Sequence, residues 1–380
     1  MTEPLKPLNQ IPADIHCAQD YEVLARRFIA APSYEYIAGG SGHDSTLNAN
    51  RKAFSAWRIY PRLLRDVTAG NTRLDLLGHQ LPHPILLAPV AFQKLAHPLG
   101  ELETARAAQA MHSGLIASTL SSYALEDIAR SAGANSPSWF QLYFQPQRDV
   151  TLDLIRRAEA AGYSALMVTL DTSIQLPSLR SLRAGFQMPA ECTPANLENY
   201  PALALIALDP LQSRIFQGAM HAAPTWNDLD WLMTQTSLPI WIKGVLHPDD
   251  ARALQARGVA GIVVSNHGGR TLDGAPASLH ALPLIRAAVG DGYPLLFDSG
   301  IRAGGDIFKA LALGANAVLI GRLQMYALSV AGGLGVAHML RLLREELEVC
   351  MALAGCATLA DISRAALMPA FKSESTFNPD

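Results

Sequence analysis

Short apolar runs alternate with amphipathic segments along the chain from about residue 84 to the end. The runs are rich in Val, Ile and Leu, a composition typical of strands buried on both faces of a parallel sheet. Helical segments lie between most of them, for example at 149–161, 249–257 and 306–313, and they predict right-handed crossovers. Eight runs begin at Pro84, Leu115, Ser138, Ala165, Pro239, Gly261, Pro294 and Ala317. Eight such units close most simply into a (β/α)8 barrel, so we predict an α/β fold of the TIM-barrel type.

Two segments fall outside this repeat, although we expect residues 1–380 to form a single domain. Residues 1–83 predict a helical N-terminal extension, and its clearest helix runs from Tyr21 to Ala31. Residues 172–223, after the fourth strand, are far longer than an ordinary βα loop and contain several prolines, which favours a lid-like insertion. Within this insertion the apolar stretch 202–208 has three open interpretations: a packed helix, an oligomer contact or a membrane-touching patch.

Polar side chains follow the C-terminal ends of consecutive strands. Because parallel barrel strands all end at the same edge, we expect these side chains to form a ring around one mouth, where barrel enzymes carry their active sites. They are Gln141 and Tyr143 after the third strand, Thr169 and Asp171 at the fourth, Lys243 after the fifth, Ser265, His267 and Arg270 after the sixth, Asp298 and Arg302 after the seventh, and Arg322 after the eighth.

The segment after the sixth strand carries the clearest candidate chemistry. His267 and Arg270 lie three residues apart in a Gly-rich loop. Imidazole can take a proton near neutral pH, and guanidinium can hold a carboxylate with two hydrogen bonds. A base beside an anion clamp suits proton abstraction from a small organic acid. The alternative is a capped strand end with a hydrogen-bonded His and a surface Arg.

The last two strands indicate a phosphate site. Glycines and arginines follow both strands, in Asp298–Gly305 and Gly321–Arg322. Backbone N–H groups and arginines at this position of a barrel hold phosphate groups. Tight turns with surface arginines are the alternative interpretation.

Composition narrows the class of protein. The chain has 49% hydrophobic and 17% charged residues and a net charge of −3, which fits a core-rich protein without a nucleic-acid-binding surface. We expect a cytoplasmic location, because the N-terminus lacks a signal-peptide core and no run looks long and apolar enough to span a bilayer. The four cysteines form no CxxC pair, and the histidines show no metal-ligand spacing, so we expect free thiols and no metal.

Several motifs resemble one enzyme family. They are Ala88–Pro98, Trp139–Tyr143, Ile242–Val245, Ser265–Arg270 and Asp298–Arg302, and the resemblance extends from about residue 34 to 363. On these motifs the chain resembles the FMN-dependent L-2-hydroxy acid oxidases and dehydrogenases, which include glycolate, lactate and mandelate enzymes. Long matches in the same order are much more specific than a single glycine motif.

The resemblance implies an FMN cofactor and names the residues that bind it. The implied contacts to the flavin ring are the backbone of Pro89, Val90 and Ala91, hydrogen bonds from Ser121, Gln141 and Thr169, and Lys243 at the N1/O2 edge. Ser265, Asp298 and Ser299 are implied to lie near the cofactor. The implied phosphate contacts are Gly300, Arg302, Gly321 and Arg322. Lys243 steadies the reduced ring in this interpretation. A barrel-rim salt bridge and a Schiff-base lysine are the alternatives for Lys243.

The resemblance also implies a catalytic mechanism. His267 takes the proton of the substrate hydroxyl while a hydride passes to flavin N5, and Asp298 orients His267 and favours its protonated form. Arg270 binds the substrate carboxylate. Tyr36, Tyr123 and Tyr143 complete the substrate pocket in this interpretation.

One departure from the family concerns the second carboxylate clamp. An ungapped match places Ser178 where the family has this arginine, and Arg180 is the nearest cation that follows. We therefore expect Arg180 to supply a second, weaker carboxylate contact. A charged hydrogen bond contributes roughly 1.5–3 kcal/mol, so its loss would weaken binding of simple 2-hydroxy acids about tenfold or more.

These observations predict FMN-dependent oxidation of a 2-hydroxy acid to a 2-oxo acid. The rival functions are the same flavin chemistry on a substrate without a free carboxylate, and a non-redox barrel enzyme that binds a phosphorylated substrate. The electron acceptor, oxygen or a quinone or protein, stays open. The family resemblance implies a homotetramer, and a peripheral membrane contact has no support in the sequence.

Overall fold

The computed structural model describes residues 3–133, 137–175, 178–201 and 208–370. Eight parallel strands form a closed barrel, which confirms the predicted (β/α)8 fold. In chain order they are β1 (Ile85–Leu87), β2 (Leu115–Ser118), β3 (Ser138–Leu142), β4 (Ala165–Thr169), β5 (Ile240–Val245), β6 (Gly261–Val264), β7 (Leu295–Phe297) and β8 (Ala317–Ile320). β8 pairs with β1 and closes the barrel, in the register Val318 with Ile85 and Ile320 with Leu87.

A helix follows every barrel strand, as the alternating pattern predicts. The described helices are α1 (Asp20–Leu24), α2 (Ala31–Ala38), α3 (Ser45–Ala53), α4 (Gly100–Met111), α5 (Leu125–Ala132), α6 (Arg148–Ala160), α7 (Leu179–Arg183), α8 (Trp226–Met233), α9 (Pro248–Ala256), α10 (Ser278–Val289), α11 (Gly304–Ala312) and α12 (Arg322–Ala354). The helices α4, α5, α6 and α8 to α12 complete the eight βα units, and their buried faces form the main core against the outside of the barrel.

The interior of the barrel is a second apolar core. It contains Trp139 and Trp241, whose ring centroids are 5.1 Å apart, with one or two side chains from each of the other strands. A hairpin of Leu74–Leu76 and His79–Leu81 precedes β1 and adds Leu76 and Leu81 to this core. The hairpin therefore covers the N-terminal end of the barrel and leaves the opposite mouth open.

The N-terminal extension differs from the predicted helix over Tyr21–Ala31. The structure has two helices here, α1 and α2, separated by a 3-10 turn at Ala25–Arg27. The physical reason is Pro32, which lies in the first turn of α2, where proline can begin a helix but cannot continue one. The extension also contains the short strand Trp57–Ile59, which pairs antiparallel with Leu367–Pro369.

The long connection after β4 contains the helix α7 and a π-helical turn at Arg214–Ala219. We call residues 171–223 the lid loop. Most of the apolar stretch 202–208 lies outside the described residues, so its three interpretations stay predictions.

One described helix corrects the expectation that no run is apolar enough to span a bilayer. In α12, an 18-residue window has a mean hydropathy of 1.3, which meets that criterion by length and composition. However, 72% of that window is buried inside the protein, and the backbone leaves helical geometry at Ala331 and Gly332. Packing against the barrel therefore accounts for its apolar composition.

Candidate active site

The two-residue period of the strands explains why polar side chains gather at one mouth of the barrel. Inward side chains of the barrel core include Trp139, Met167, Trp241, Val263 and Leu296. Side chains two residues further along a strand point the same way. Those positions are Gln141, Thr169, Lys243, Ser265 and Asp298, all less than 10% exposed. The sequence thus forms an apolar layer inside the barrel and a polar layer directly above it.

A pocket of about 200 Å³ lies above this polar layer. Three non-glycine residues in its wall, Phe92, His267 and Ser299, have positive φ angles of 53°, 58° and 88°. Such backbone strain concentrates at functional sites. Of the predicted site residues, the lining includes Tyr36, Pro89, Val90, Ala91, Tyr143, Lys243, His267, Arg270, Asp298, Ser299, Gly300, Arg302, Gly321 and Arg322.

His267 has a different carboxylate partner from the predicted one. Its Nδ1 lies 3.0 Å from Oδ1 of Asp171, at the end of β4. The prediction that Asp298 orients His267 is therefore wrong. Burial raises the pKa of the Asp171 carboxyl, but the charges of His267 and Lys243 outweigh burial and the net pKa is lowered. Asp171 thus stays ionised beside the imidazole.

Asp298 pairs with Lys243 instead. Nζ of Lys243 lies 3.0 Å from Oδ2 of Asp298 and donates a hydrogen bond of 2.8 Å to Oγ of Ser265. Burial lowers the pKa of the Lys243 ammonium, but the charges of Asp298 and Asp171 outweigh burial and raise it. Lys243 is therefore a buried, permanently charged cation at the floor of the pocket.

Tyr143 and Tyr36 both line the pocket. Burial raises the pKa of the Tyr143 phenol, and the charge of Asp171 raises it further, so its hydroxyl remains a hydrogen-bond donor. The Tyr36 ring stacks on Phe186 with centroids 4.3 Å apart, and the Arg270 guanidinium lies 5.0 Å from the Tyr36 centroid.

Two pocket arginines lie against the C-terminal end of α2. Arg270 donates from Nη1 to the carbonyls of Tyr36 and Gly39 at 2.8 and 3.1 Å, and Arg322 donates to Ile37 and Gly39 at 3.0 and 2.8 Å. No described carboxylate forms a salt bridge with either guanidinium. Burial, and secondly the charge of Arg270, lowers the pKa of Arg322 to about 10. Two partly buried cations without a carboxylate partner among the described residues favour the binding of an anion.

The segment 298–302 is held tightly between β7 and the extension. A Cβ at Gly300, where φ is 89°, would lie 2.7 Å from the carbonyl oxygen of Asn50. Arg302 is fixed by a 2.7 Å contact from its Nε to Glu22 in α1. Arg51 of α3 donates to the Gly300 carbonyl at 2.7 Å. The N-terminal extension therefore holds the glycines and arginines predicted to bind phosphate.

Two buried polar atoms at the polar layer have no partner among the described residues. Gln141 uses its Oε1 to accept from Thr119 N and Ser118 Oγ at 3.2 and 3.3 Å, which leaves its Nε2 unpaired. Oγ1 of Thr169 is unpaired too. Buried polar groups are nearly always satisfied, so this pair indicates a bound group that presents polar atoms to it.

The predicted second clamp lies outside the pocket. Arg180 is fixed by Glu35, to which its Nε donates at 2.8 Å, and by Asp44 at 3.4 Å. Two carboxylates thus occupy the guanidinium, and the prediction that Arg180 holds substrate is corrected. Ser178, at the family's clamp position, caps α7 by accepting a hydrogen bond from Ser181 N at 3.5 Å.

Two further predicted contact residues have hydroxyls that already pair within the protein. The Tyr123 hydroxyl donates to the Pro98 carbonyl at 3.1 Å, and its ring lies against Lys94. The Ser121 hydroxyl donates to the Tyr123 carbonyl at 2.7 Å and accepts from Asn196. Both hydroxyls are already paired, whereas Ser118 and Leu120 of the same loop line the pocket. The substrate role of Tyr123 and the flavin contact of Ser121 therefore stay predictions.

Sequence reasoning also missed two residues. Asp171 was recognised as a strand-end carboxylate but not as the partner of His267, although it follows the inward Thr169 by two positions. Gln175 lines the pocket from the lid loop. No periodic signal identifies Gln175, because the loop has no regular structure at that point.

Comparison with known proteins gives consistent matches over most of the chain. A model of the FMN-dependent dehydrogenase family matches residues 25–369. The L-lactate oxidase of Alicycliphilus denitrificans is 62% identical, covering 96% of this chain and 100% of that protein. The 4-hydroxymandelate oxidase of Amycolatopsis orientalis is 43% identical, covering 91% and 96%. Among solved structures, mandelate oxidase with (S)-2-phenylpropionate has a TM-score of 0.83 at 41% identity, covering 93% of this chain and 98% of that chain.

Proposed function

Because this chain belongs to the FMN-dependent dehydrogenase family and oxidises 2-hydroxy acids with FMN, we propose that it acts as an L-lactate oxidase. In this reaction L-lactate and O2 give pyruvate and hydrogen peroxide. The observation that carries the proposal is the pairing of His267 with Asp171 in the same pocket wall as the unpaired cation Arg270. The 62% identical L-lactate oxidase supports the choice of substrate and acceptor.

The residues of the pocket fit FMN. The unpaired Gln141 Nε2 and Thr169 Oγ1 would satisfy polar atoms of the flavin ring, and Lys243 would compensate negative charge on it. The buried Arg322 and the backbone at Gly300 and Gly321 would hold the phosphate, next to the N-terminus of α12. When bound, FMN supplies the hydride acceptor for the reaction.

His267 would act as the general base. Its Nδ1 is engaged by Asp171, so its other ring nitrogen is the one available to accept the substrate hydroxyl proton. The ionised Asp171 stabilises the imidazolium that forms. Tyr143, which stays protonated, can donate a hydrogen bond to the substrate and orient it.

Arg270 would bind the substrate carboxylate without a second clamp. Its hydrogen bonds to the protein come from Nη1 alone, so the described residues leave Nε and Nη2 unpaired. Two nitrogens on one side of a guanidinium match the two oxygens of a carboxylate. The substrate carboxylate then supplies the anion that the buried site lacks.

The test is reduction of the bound flavin without oxygen, followed by reoxidation. L-lactate should bleach the flavin absorbance rapidly, D-lactate should not, and oxygen should restore it with one hydrogen peroxide formed per pyruvate. Reoxidation by a quinone but not by oxygen would overturn the choice of acceptor. Failure of every L-2-hydroxy acid to bleach the flavin would overturn the proposed substrate class.

A further inference from the structure

A second cavity of about 380 Å³ lies beside the central pocket. It shares the lining residues Tyr36, Gln175 and Arg270 with the central pocket, so these side chains border both spaces. The rest of its wall comes mainly from the lid loop. The cavity therefore opens next to the residue that would hold the substrate carboxylate.

A small residue at position 178 leaves this cavity open. The Ser178 hydroxyl lies so close to Gly39 that a Cβ there would be 2.3 Å away, and Ser178 forms a β-bridge with Gly42. These contacts fix the backbone of the loop against the N-terminal extension. An arginine at this position would extend from the same fixed backbone, and the cavity is the free space beside it.

The wall beyond Arg270 is mostly apolar. Its apolar side chains are Leu182, Phe186 and Met188, beside the hydroxyls of Ser178 and Ser181, and no carboxylate of the described residues lines the cavity. Phe186 is held by the stacking on Tyr36 and by a 3.1 Å hydrogen bond from its N–H to the Ser181 carbonyl. A ligand that fits both spaces has a carboxylate at Arg270 and an apolar group extending away from it.

We propose that this side cavity is a subsite for the side chain of the substrate, and that the enzyme oxidises 2-hydroxy acids with apolar chains longer than that of lactate. The proposal rests on the proposed function, because the subsite is defined relative to Arg270. Lactate leaves the cavity empty, whereas a chain of several carbons displaces water from Leu182, Phe186 and Met188. Each methylene buried there improves binding.

The first test is a chain-length series with the FMN-loaded enzyme. The substrates are L-lactate and the straight-chain L-2-hydroxy acids with four, five and six carbons, and the measurement is kcat/KM for flavin reduction. We expect kcat/KM to rise about two- to fourfold per methylene. A steady fall with chain length while lactate remains active would overturn the subsite and leave the proposed function intact. No reduction by any of the acids would overturn the proposed function itself.

The second test narrows the cavity. Met188→Trp should lower kcat/KM for the six-carbon acid at least tenfold and leave the value for lactate within about threefold. Leu211→Trp is the matched control, since Leu211 lies in the same loop, is 97% exposed and is outside the cavity. An unchanged chain-length profile in folded, FMN-loaded Met188→Trp would overturn the proposal.

A third variant tests the role of position 178. Ser178→Arg should fill the cavity and add a cation next to Arg270, so it should bind pyruvate more tightly and the six-carbon 2-oxo acid more weakly. Both dissociation constants follow from the change in flavin absorbance on binding, which needs no turnover. Tighter binding of the long 2-oxo acid than in the wild type would contradict the subsite.

Discussion

At the scale of single residues, the site is organised by how its charges are paired. Asp171 and Asp298 are both buried at strand ends, yet one pairs with His267 and the other with Lys243. Arg180 is neutralised by Glu35 and Asp44, whereas Arg270 has no carboxylate partner among the described residues. The chemical role of each charged side chain therefore depends on its partner and not on its residue type.

The first prediction separates the two carboxylates. Asp171→Asn should slow flavin reduction by about 10²-fold or more, because the imidazolium of His267 loses its counter-charge, and general-base catalysis contributes about 10²–10⁴-fold. Asp298→Asn should mainly change the flavin reduction potential through Lys243. Anaerobic stopped-flow and potentiometry measure the two effects. Wild-type reduction rates in FMN-loaded Asp171→Asn would show that the histidine depends on another group.

The second prediction concerns the two arginines. Arg270→Met should cost about 2–5 kcal/mol in kcat/KM for lactate, the range for truncating a buried charge contact. Arg180→Met should change kcat/KM less than threefold, because its guanidinium contacts Glu35 and Asp44 and not the pocket. Steady-state kinetics with both variants measure the two changes in kcat/KM. A larger loss in Arg180→Met than in Arg270→Met would reinstate Arg180 as the carboxylate clamp.

At the scale of secondary-structure elements, the sequence predicts the barrel strands well and the partners of the site residues poorly. The two-residue period assigns Gln141, Thr169 and Lys243 to the mouth of the barrel. The same period places both Asp171 and Asp298 at the mouth of the barrel, and only the structure shows that His267 pairs with Asp171. That choice depends on three-dimensional loop geometry, which no periodicity encodes.

The sequence pattern also does not predict the contacts between the lid loop and the N-terminal extension. Arg180 and its partners Glu35 and Asp44 are separated by more than 130 residues. Local patterns carry no information on contacts at that distance along the chain. By contrast, the predicted phosphate segment rests on a local pattern, because a strand followed by glycines and Arg302 has a recurrent geometry in barrels.

The third prediction tests the phosphate segment. Gly300→Ala should destabilise the protein by at least about 1–2 kcal/mol, because φ is in the left-handed region and the new Cβ would meet the Asn50 carbonyl. It should also weaken FMN binding, measured by fluorescence titration. Gly292→Ala is the control, since a Cβ there meets nothing within 4 Å, and it should stay within about 0.5 kcal/mol of the wild type. Equal effects of the two substitutions would refute the special geometry of Gly300.

At the scale of the whole molecule, the barrel strands separate two apolar cores, one inside the barrel and one outside it. The inner core is closed at the N-terminal end by the hairpin 74–81, and the outer core is formed by the helices, with α12 the longest. His83 lies between the hairpin and β1 and is fully buried. The backbone of Met111 and Ile85 favours a proton on its ring, but burial outweighs that effect. This histidine therefore connects the stability of the closed barrel end to pH.

The last prediction follows from that connection. Burial, and then the charge of Arg344 on α12, lowers the pKa of His83 to about 4 from the model-peptide value of 6.5. Between these two pH values His83 is protonated in the unfolded chain and neutral in the folded chain. The contribution to stability is therefore complete above pH 6.5 and is lost as pH falls toward 4. The difference of about 2.5 pKa units corresponds to a loss of about 3 kcal/mol.

The measurement is urea unfolding of the FMN-loaded enzyme between pH 7.5 and 4.5. Carboxylates contribute to the same acid transition, so the informative quantity is the difference between the wild type and His83→Phe, which keeps a ring without a titrating group. The wild type should lose more stability than His83→Phe as pH falls, while the exposed His280→Gln control should follow the wild type. Parallel pH curves for the wild type and His83→Phe would mean that His83 accepts its proton in the folded state. The closed end of the barrel would then contribute nothing to acid sensitivity.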